Sequence, residues 1–60
     1  MGEKLKAARK AAGLKQSELA DMVGCTQKDI SRWESGLHEP GVLIVKKMAK
    51  ALGCSMDELV

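Results

Sequence analysis

Apolar residues recur along this chain at three- and four-residue spacing, in short bursts punctuated by glycine. Leu5, Ala8 and Ala12 open the pattern, and Leu14 follows Gly13. Leu19, Ala20 and Val23 continue it up to Gly24, and Ile30 and Trp33 repeat it ahead of Gly36. Val42, Val45, Met48, Ala49 and Leu52 form the longest stripe, which stops at Gly53. Such spacing gathers apolar side chains on one face of an α-helix. A glycine just beyond each stretch stands where helices commonly end in the left-handed region. The pattern predicts helices running from about Glu3 to Ala12, Gln16 to Val23, Thr26 to Ser35 and Val42 to Leu52.

Capping signals refine these limits. Thr26-x-x-Asp29 has the form of a capping box, with Thr26 as N-cap. Ser55-x-x-Glu58 repeats the form and predicts a fifth short helix whose Met56 and Leu59 point inward. Pro40 and Gly41 mark the stretch from Gly36 as a loop. The expected architecture is all-α: five helices of two to three turns in a compact bundle around one aliphatic core, with Trp33 near its centre. Helices this short do not persist alone in water, so residues 1–60 are expected to fold together as one domain.

The composition supports helices. Of 60 residues, 45% are hydrophobic and 30% charged, which is too apolar for a disordered chain. One Trp and no Phe or Tyr leave Ala, Leu, Val and Met to build the core. That mix favours helix over strand. The net charge of +2 says little, but its distribution says more: Lys4, Lys6, Arg9, Lys10 and Lys15 face only Glu3 in the first fifteen residues. Such a cluster attracts phosphates, although a solvated helix face has the same composition.

Several function classes find no support. Cys25 and Cys54 form no disulfide framework and no CxxC, and His38 is the sole histidine, so no metal or other cofactor is expected. Both cysteines read as small, partly buried apolar residues. The longest apolar run, Val42 to Val45, is far too short to span a bilayer. No apolar run follows the basic N-terminus, so no signal peptide is expected, and the chain reads as cytoplasmic. Ser17, Ser31 and His38 lack a nucleophile elbow and an orienting acid, so no enzyme is expected.

The stretch QSELADMVGCTQKDISRWESG, from Gln16 to Gly36, carries the strongest signal. A helix, a tight turn at Gly24 and a capped second helix with a polar outer face make a helix-turn-helix layout. Ala20 is small where the two helices must approach, and Ile30 anchors the second to the core. The wider pattern extends this spacing: Leu5-x-x-Ala8-Arg9, Gly13-Leu14-x-Gln16-x-Glu18-Leu19-Ala20, Ile30-Ser31-x-x-Glu34-x-Gly36, Pro40 and Ala49-x-Ala51-Leu52-Gly53. With these residues in place, nearly the whole chain resembles the phage Cro and cI-type repressors, the XRE-type helix-turn-helix family.

The resemblance implies a lambda-repressor-like bundle whose third helix enters the DNA major groove. It places Gln27, Lys28, Ser31 and Arg32 at base-facing positions and Gln16 against a phosphate. It also implies a buried or half-buried ion pair between Arg9 and Glu34. The side-chain chemistry suits these roles. Gln pairs bidentately with adenine, and Arg or Lys with guanine. Free N–H groups at the starts of helices two and three suit phosphates, which brings Lys15, Gln16 and Thr26 to the backbone-contacting set. His38, in the following loop, joins that set. Three departures stand out. Lys15 replaces the usual Ser or Thr N-cap, Gly41 is a permissive cap for the fourth helix, and Asp29 reads as a cap partner rather than a base reader.

Sequence-specific binding of double-stranded DNA, in a transcriptional regulator or repressor, is therefore the leading expectation. A protein-interaction or antitoxin-like module on the same fold is the alternative, because fold alone does not fix function. Val42-Leu43-Ile44-Val45 is apolar all round, which suits either a broad core face or a pairing patch. The expected partners are a pseudo-palindromic operator and a second copy, held in a weak or DNA-assisted dimer through Leu43, Ile44, Met56 and Val60.

Overall fold

In the computed structural model, which describes residues 1–60, four of the five periodic stretches are α-helices. They are α1 (Gly2–Ala11), α2 (Gln16–Val23), α3 (Gln27–Ser35) and α4 (Val42–Leu52). The fifth, over Met56–Glu58, is a single 3₁₀ turn, so the fold has four helices rather than five. The expected Ser55–Glu58 capping box does not form, because Ser55 makes no side-chain cap bond. Instead Glu58 N–H donates to the Ser55 carbonyl (3.1 Å) and Leu59 N–H to that of Met56 (3.0 Å). In such winding residues three apart are eclipsed. Met56 and Leu59 therefore both reach the core, the first half-buried and the second fully buried.

The helices end alike. Leu14, Cys25, Leu37 and Cys54 each donate their N–H to the carbonyl five residues back, at 3.2, 2.9, 3.1 and 3.0 Å. These are Schellman closures. Helix starts differ. At α3 the expected box is present: Asp29 N–H donates to Thr26 Oγ1 (3.2 Å), and Thr26 N–H to Asp29 Oδ2 (3.3 Å). At α2 the lysine has no acceptor to offer, so only half a box forms, with Lys15 N–H donating to Glu18 Oε1 (2.9 Å).

Leu5, Leu19, Ile30, Met48 and Leu59 are fully buried, and Ala20, Val23, Val45 and Ala49 complete the core. α2 packs on both α3 and α4, α1 packs on α3, and the 3₁₀ turn bridges α1 and α4. Trp33 is not at the centre. It is half-buried at the margin, because the inward point of α3 is taken by Ile30. Ala12 is exposed, since it lies past the last residue of α1. The run Val42–Val45 divides along the first turn of α4. Val45 is buried and Ile44 half-buried, whereas Val42 and Leu43 are 66% and 73% exposed.

The 3₁₀ turn is thus part of the core. Leu59→Ala is expected to cost about 2–5 kcal/mol. That is a large share of the roughly 3–9 kcal/mol available to a domain of this size. A urea melt followed by circular dichroism checks this, and an unchanged midpoint would detach the turn from the core.

Candidate nucleic-acid interface

The turn between α2 and α3 is set by small residues. Gly24 lies in the left-handed region (φ +80°, ψ 33°), which costs a side-chain-bearing residue about 1–2 kcal/mol. Both Gly24 and Cys25 donate N–H groups to the Ala20 carbonyl at 2.9 Å, reversing the chain within two residues. Ala20 is 2% exposed, where a larger side chain would part the helices. Burial, and secondarily the Asp29 carboxylate, push the Cys25 thiol upward, so it stays neutral beside the turn.

With Ile30 facing the core, α3 turns Gln27, Lys28, Ser31 and Arg32 to solvent, and all four are exposed. Residues at this spacing share one helix face. Neither Lys28 nor Arg32 forms an ion pair, since the only one in the structure joins Arg9 to Glu34. Asp29, the one acidic side chain in the first turn of α3, is half-buried and held by Thr26. The face therefore offers two free cations, an amide and a short hydroxyl.

Beneath it lies a buried polar joint. Arg9 Nε donates to Glu34 Oε2 at 2.6 Å and Arg9 Nη2 to Glu34 Oε1 at 3.1 Å, a bidentate pair with side chains 10% and 4% exposed. Arg9 Nη1 donates to the Leu14 carbonyl (2.8 Å), and Gln16 Nε2 to Glu34 Oε1 (3.0 Å). No buried side-chain polar atom lacks a partner. The joint ties α1, the α1–α2 turn and the start of α2 to the end of α3. Spacing alone did not reveal the Gln16–Glu34 bond, because the two residues sit on different helices with no shared period.

The predicted backbone-contacting residues lie at the starts of α2 and α3 and in the loop after α3. Gln16 is half-buried, and its Oε1 accepts a long bond from Gln27 Nε2 (3.5 Å), so the starts of α2 and α3 adjoin. Lys15 is exposed at the N-cap of α2. Thr26 is exposed, but its hydroxyl and N–H are both engaged in the cap, which leaves the N–H groups of Gln27 and Lys28 as the free donors there. His38 is exposed in the loop beyond α3 and makes no hydrogen bond to the four face residues.

The family model described as "Helix-turn-helix" matches residues 5–59. The chain belongs to the XRE-type helix-turn-helix family. Among its relatives, the repressor protein C2 of Salmonella phage P22 is 40% identical over 60 residues, all of this chain and 28% of that protein. The SPbeta prophage-derived uncharacterized HTH-type transcriptional regulator YonR of Bacillus subtilis (strain 168) is 36% identical over 59 residues, 98% of this chain and 55% of that one. This XRE-type chain thus spans between about a quarter and just over half the length of these two relatives. Among solved structures, the P22 c2 repressor in complex with a synthetic operator matches with a TM-score of 0.92 and 39% identity, covering 98% of this chain and 89% of that one. No helix of this family member is long and apolar enough to cross a membrane.

Breaking the joint should unfold the site from below. Glu34→Ala leaves the Arg9 guanidinium buried without its carboxylate, at an expected cost of about 3–5 kcal/mol. Glu34→Gln keeps an acceptor for Arg9 and should lose less. Paired chemical denaturation curves measure both, and an unchanged stability in Glu34→Ala would remove the joint from the account.

Proposed function

We propose that residues 1–60 form a DNA-binding domain that reads double-stranded DNA in sequence-specific fashion and serves a transcriptional regulator, most simply a repressor. The observation that carries this reading is the outer face of α3. It bears four exposed polar side chains, two of them unpaired cations, on a scaffold like that of a repressor solved on its operator. In the major groove, Gln27 suits adenine N6 and N7, while Lys28 and Arg32 suit guanine O6 and N7. Ser31, being short, lets the helix approach closely. Lys15, Gln16, the free N–H groups at the starts of α2 and α3, and His38 hold the flanking phosphates and set the register. Thr26 serves this contact by capping α3 rather than by its own hydroxyl. The binding is non-catalytic and needs no cofactor.

The test is selection of bound sequences from a random duplex pool. Wild type should enrich a defined half-site. Arg32→Ala should lose roughly 1–3 kcal/mol and relax preference at one base pair. Retained preference after alanine substitution of Gln27, Lys28 and Arg32 alike would refute this docking. Affinity should also fall log-linearly as salt rises, because phosphate contacts release counterions. A flat response would favour a protein partner.

One domain presents one recognition helix and covers one half-site, so a pseudo-palindromic operator implies two copies. Exposed Leu43 and Val60 and half-buried Ile44 and Met56 are the residues assigned to pairing. So few residues bury less than the roughly 1,200 Å² of a stable interface. Analytical ultracentrifugation should show a monomer or weak dimer alone and a two-to-one complex on a two-half-site duplex. A tight dimer in dilute protein without DNA would contradict this.

A further inference from the structure

Gly2 is the one glycine whose missing side chain matters for space rather than for backbone conformation. A Cβ built there would overlap the Glu34 carbonyl and lie 2.9 Å from the Trp33 carbonyl oxygen, whereas a Cβ on any other glycine meets nothing within 4 Å. The obstruction is main chain, so no rotamer change relieves it, and one of the two helices must move.

The two sides are held differently. The first turn of α1 is tied down: Met1 packs on the core, Leu5 N–H donates to the Met1 carbonyl at 3.0 Å, and Leu5 is fully buried. α3 has a single buried residue, Ile30. Its last turn is held by half-buried Trp33 and by the Glu34 carboxylate, which accepts from Arg9 and Gln16. Beyond Ser35 the chain runs into an exposed stretch from Gly36 to Glu39. Ile30 lies between the obstructed end, at Glu34, and the end that carries Gln27 and Lys28. A push on the Glu34 main chain works against the Arg9–Glu34 joint, and with Ile30 as the fixed point it swings the DNA-facing start of α3.

From this we infer that Gly2 is a positioning residue for base readout: its bare Cα lets the last turn of α3 seat on α1 and fixes the tilt at which Gln27 and Lys28 meet the groove. The inference rests on the DNA-binding reading above. Base-edge hydrogen bonds demand placement to about half an ångström, whereas phosphate attraction tolerates larger shifts. A side chain at position 2 should therefore cost discrimination before it costs general affinity for DNA.

The experiment uses Gly2→Ala, with Ala7→Ser on the exposed side of α1 as control. Alanine is the better helix former, so α1 itself is not weakened. Each protein is titrated with the duplex selected by wild type and with a scrambled duplex of equal length, at a temperature where circular dichroism shows it folded. Gly2→Ala should bind the selected duplex about tenfold more weakly and the scrambled one within about threefold of wild type, while Ala7→Ser matches wild type on both. Amide chemical shifts should move along Gln27–Ser35. Three results would overturn the inference: full discrimination in Gly2→Ala, an equal loss on both duplexes, or a variant that does not fold. Shifts confined to the first turn of α1 would overturn it as well. A wild type that does not discriminate the duplexes would instead defeat the DNA-binding reading itself, and this inference with it.

Discussion

Arg9 and Glu34 meet in a nearly dry joint where both arms of the guanidinium fork find both oxygens of one carboxylate. Isolated burial of either charge would be prohibitive, and the pair is tolerable only because its remaining bonding capacity is used. The Leu14 carbonyl takes the third Arg9 donor, and Gln16 gives Glu34 a further one. These satisfied bonds have direction, unlike the aliphatic contacts around them, and so they fix angles as well as distances. Ile30 is the one α3 side chain fully inside the core, with Trp33 packed at its margin. The joint ties the last turn of the helix to α1.

The interface follows from that constraint. With its inner side committed to Ile30 and its last turn to the joint, α3 has only its outer face free. That face holds long polar side chains and no free carboxylate in its first turn, since Asp29 is occupied by the Thr26 cap. The capping box starts the helix and commits the Asp29 carboxylate to the Thr26 N–H. Gln16 links the joint to the face, bonded to Glu34 on one side and adjoining Gln27 on the other. Support and surface are parts of one network.

Much of this was legible in the sequence because the signals were local. Periodic apolar residues and terminal glycines placed α1 to α4 within a residue or so, since a helix face and a left-handed cap each depend on a few neighbours. Thr26 and Asp29 were legible for the same reason. The last element was not: Ser55 and Glu58 have capping-box spacing, but the need to bring both Met56 and Leu59 to the core favours a tighter turn. Trp33 lies further out than its spacing suggests, because helical period gives direction without depth and Ile30 already fills the inward position. The Gln16–Glu34 bond and the contact of Gly2 with the end of α3 join residues distant in sequence, and no local pattern encodes them.

The central claim is that a buried joint holds the outer face of α3 ready to read DNA. Its most direct test is an amide chemical-shift map of isotope-labelled protein titrated with its selected duplex. The account predicts the largest changes at Gln16, Gln27, Lys28, Ser31 and Arg32, with the side-chain Nε signal of Arg9 in place throughout. Largest changes at Leu43, Ile44, Met56 and Val60, with α3 unmoved, would contradict it.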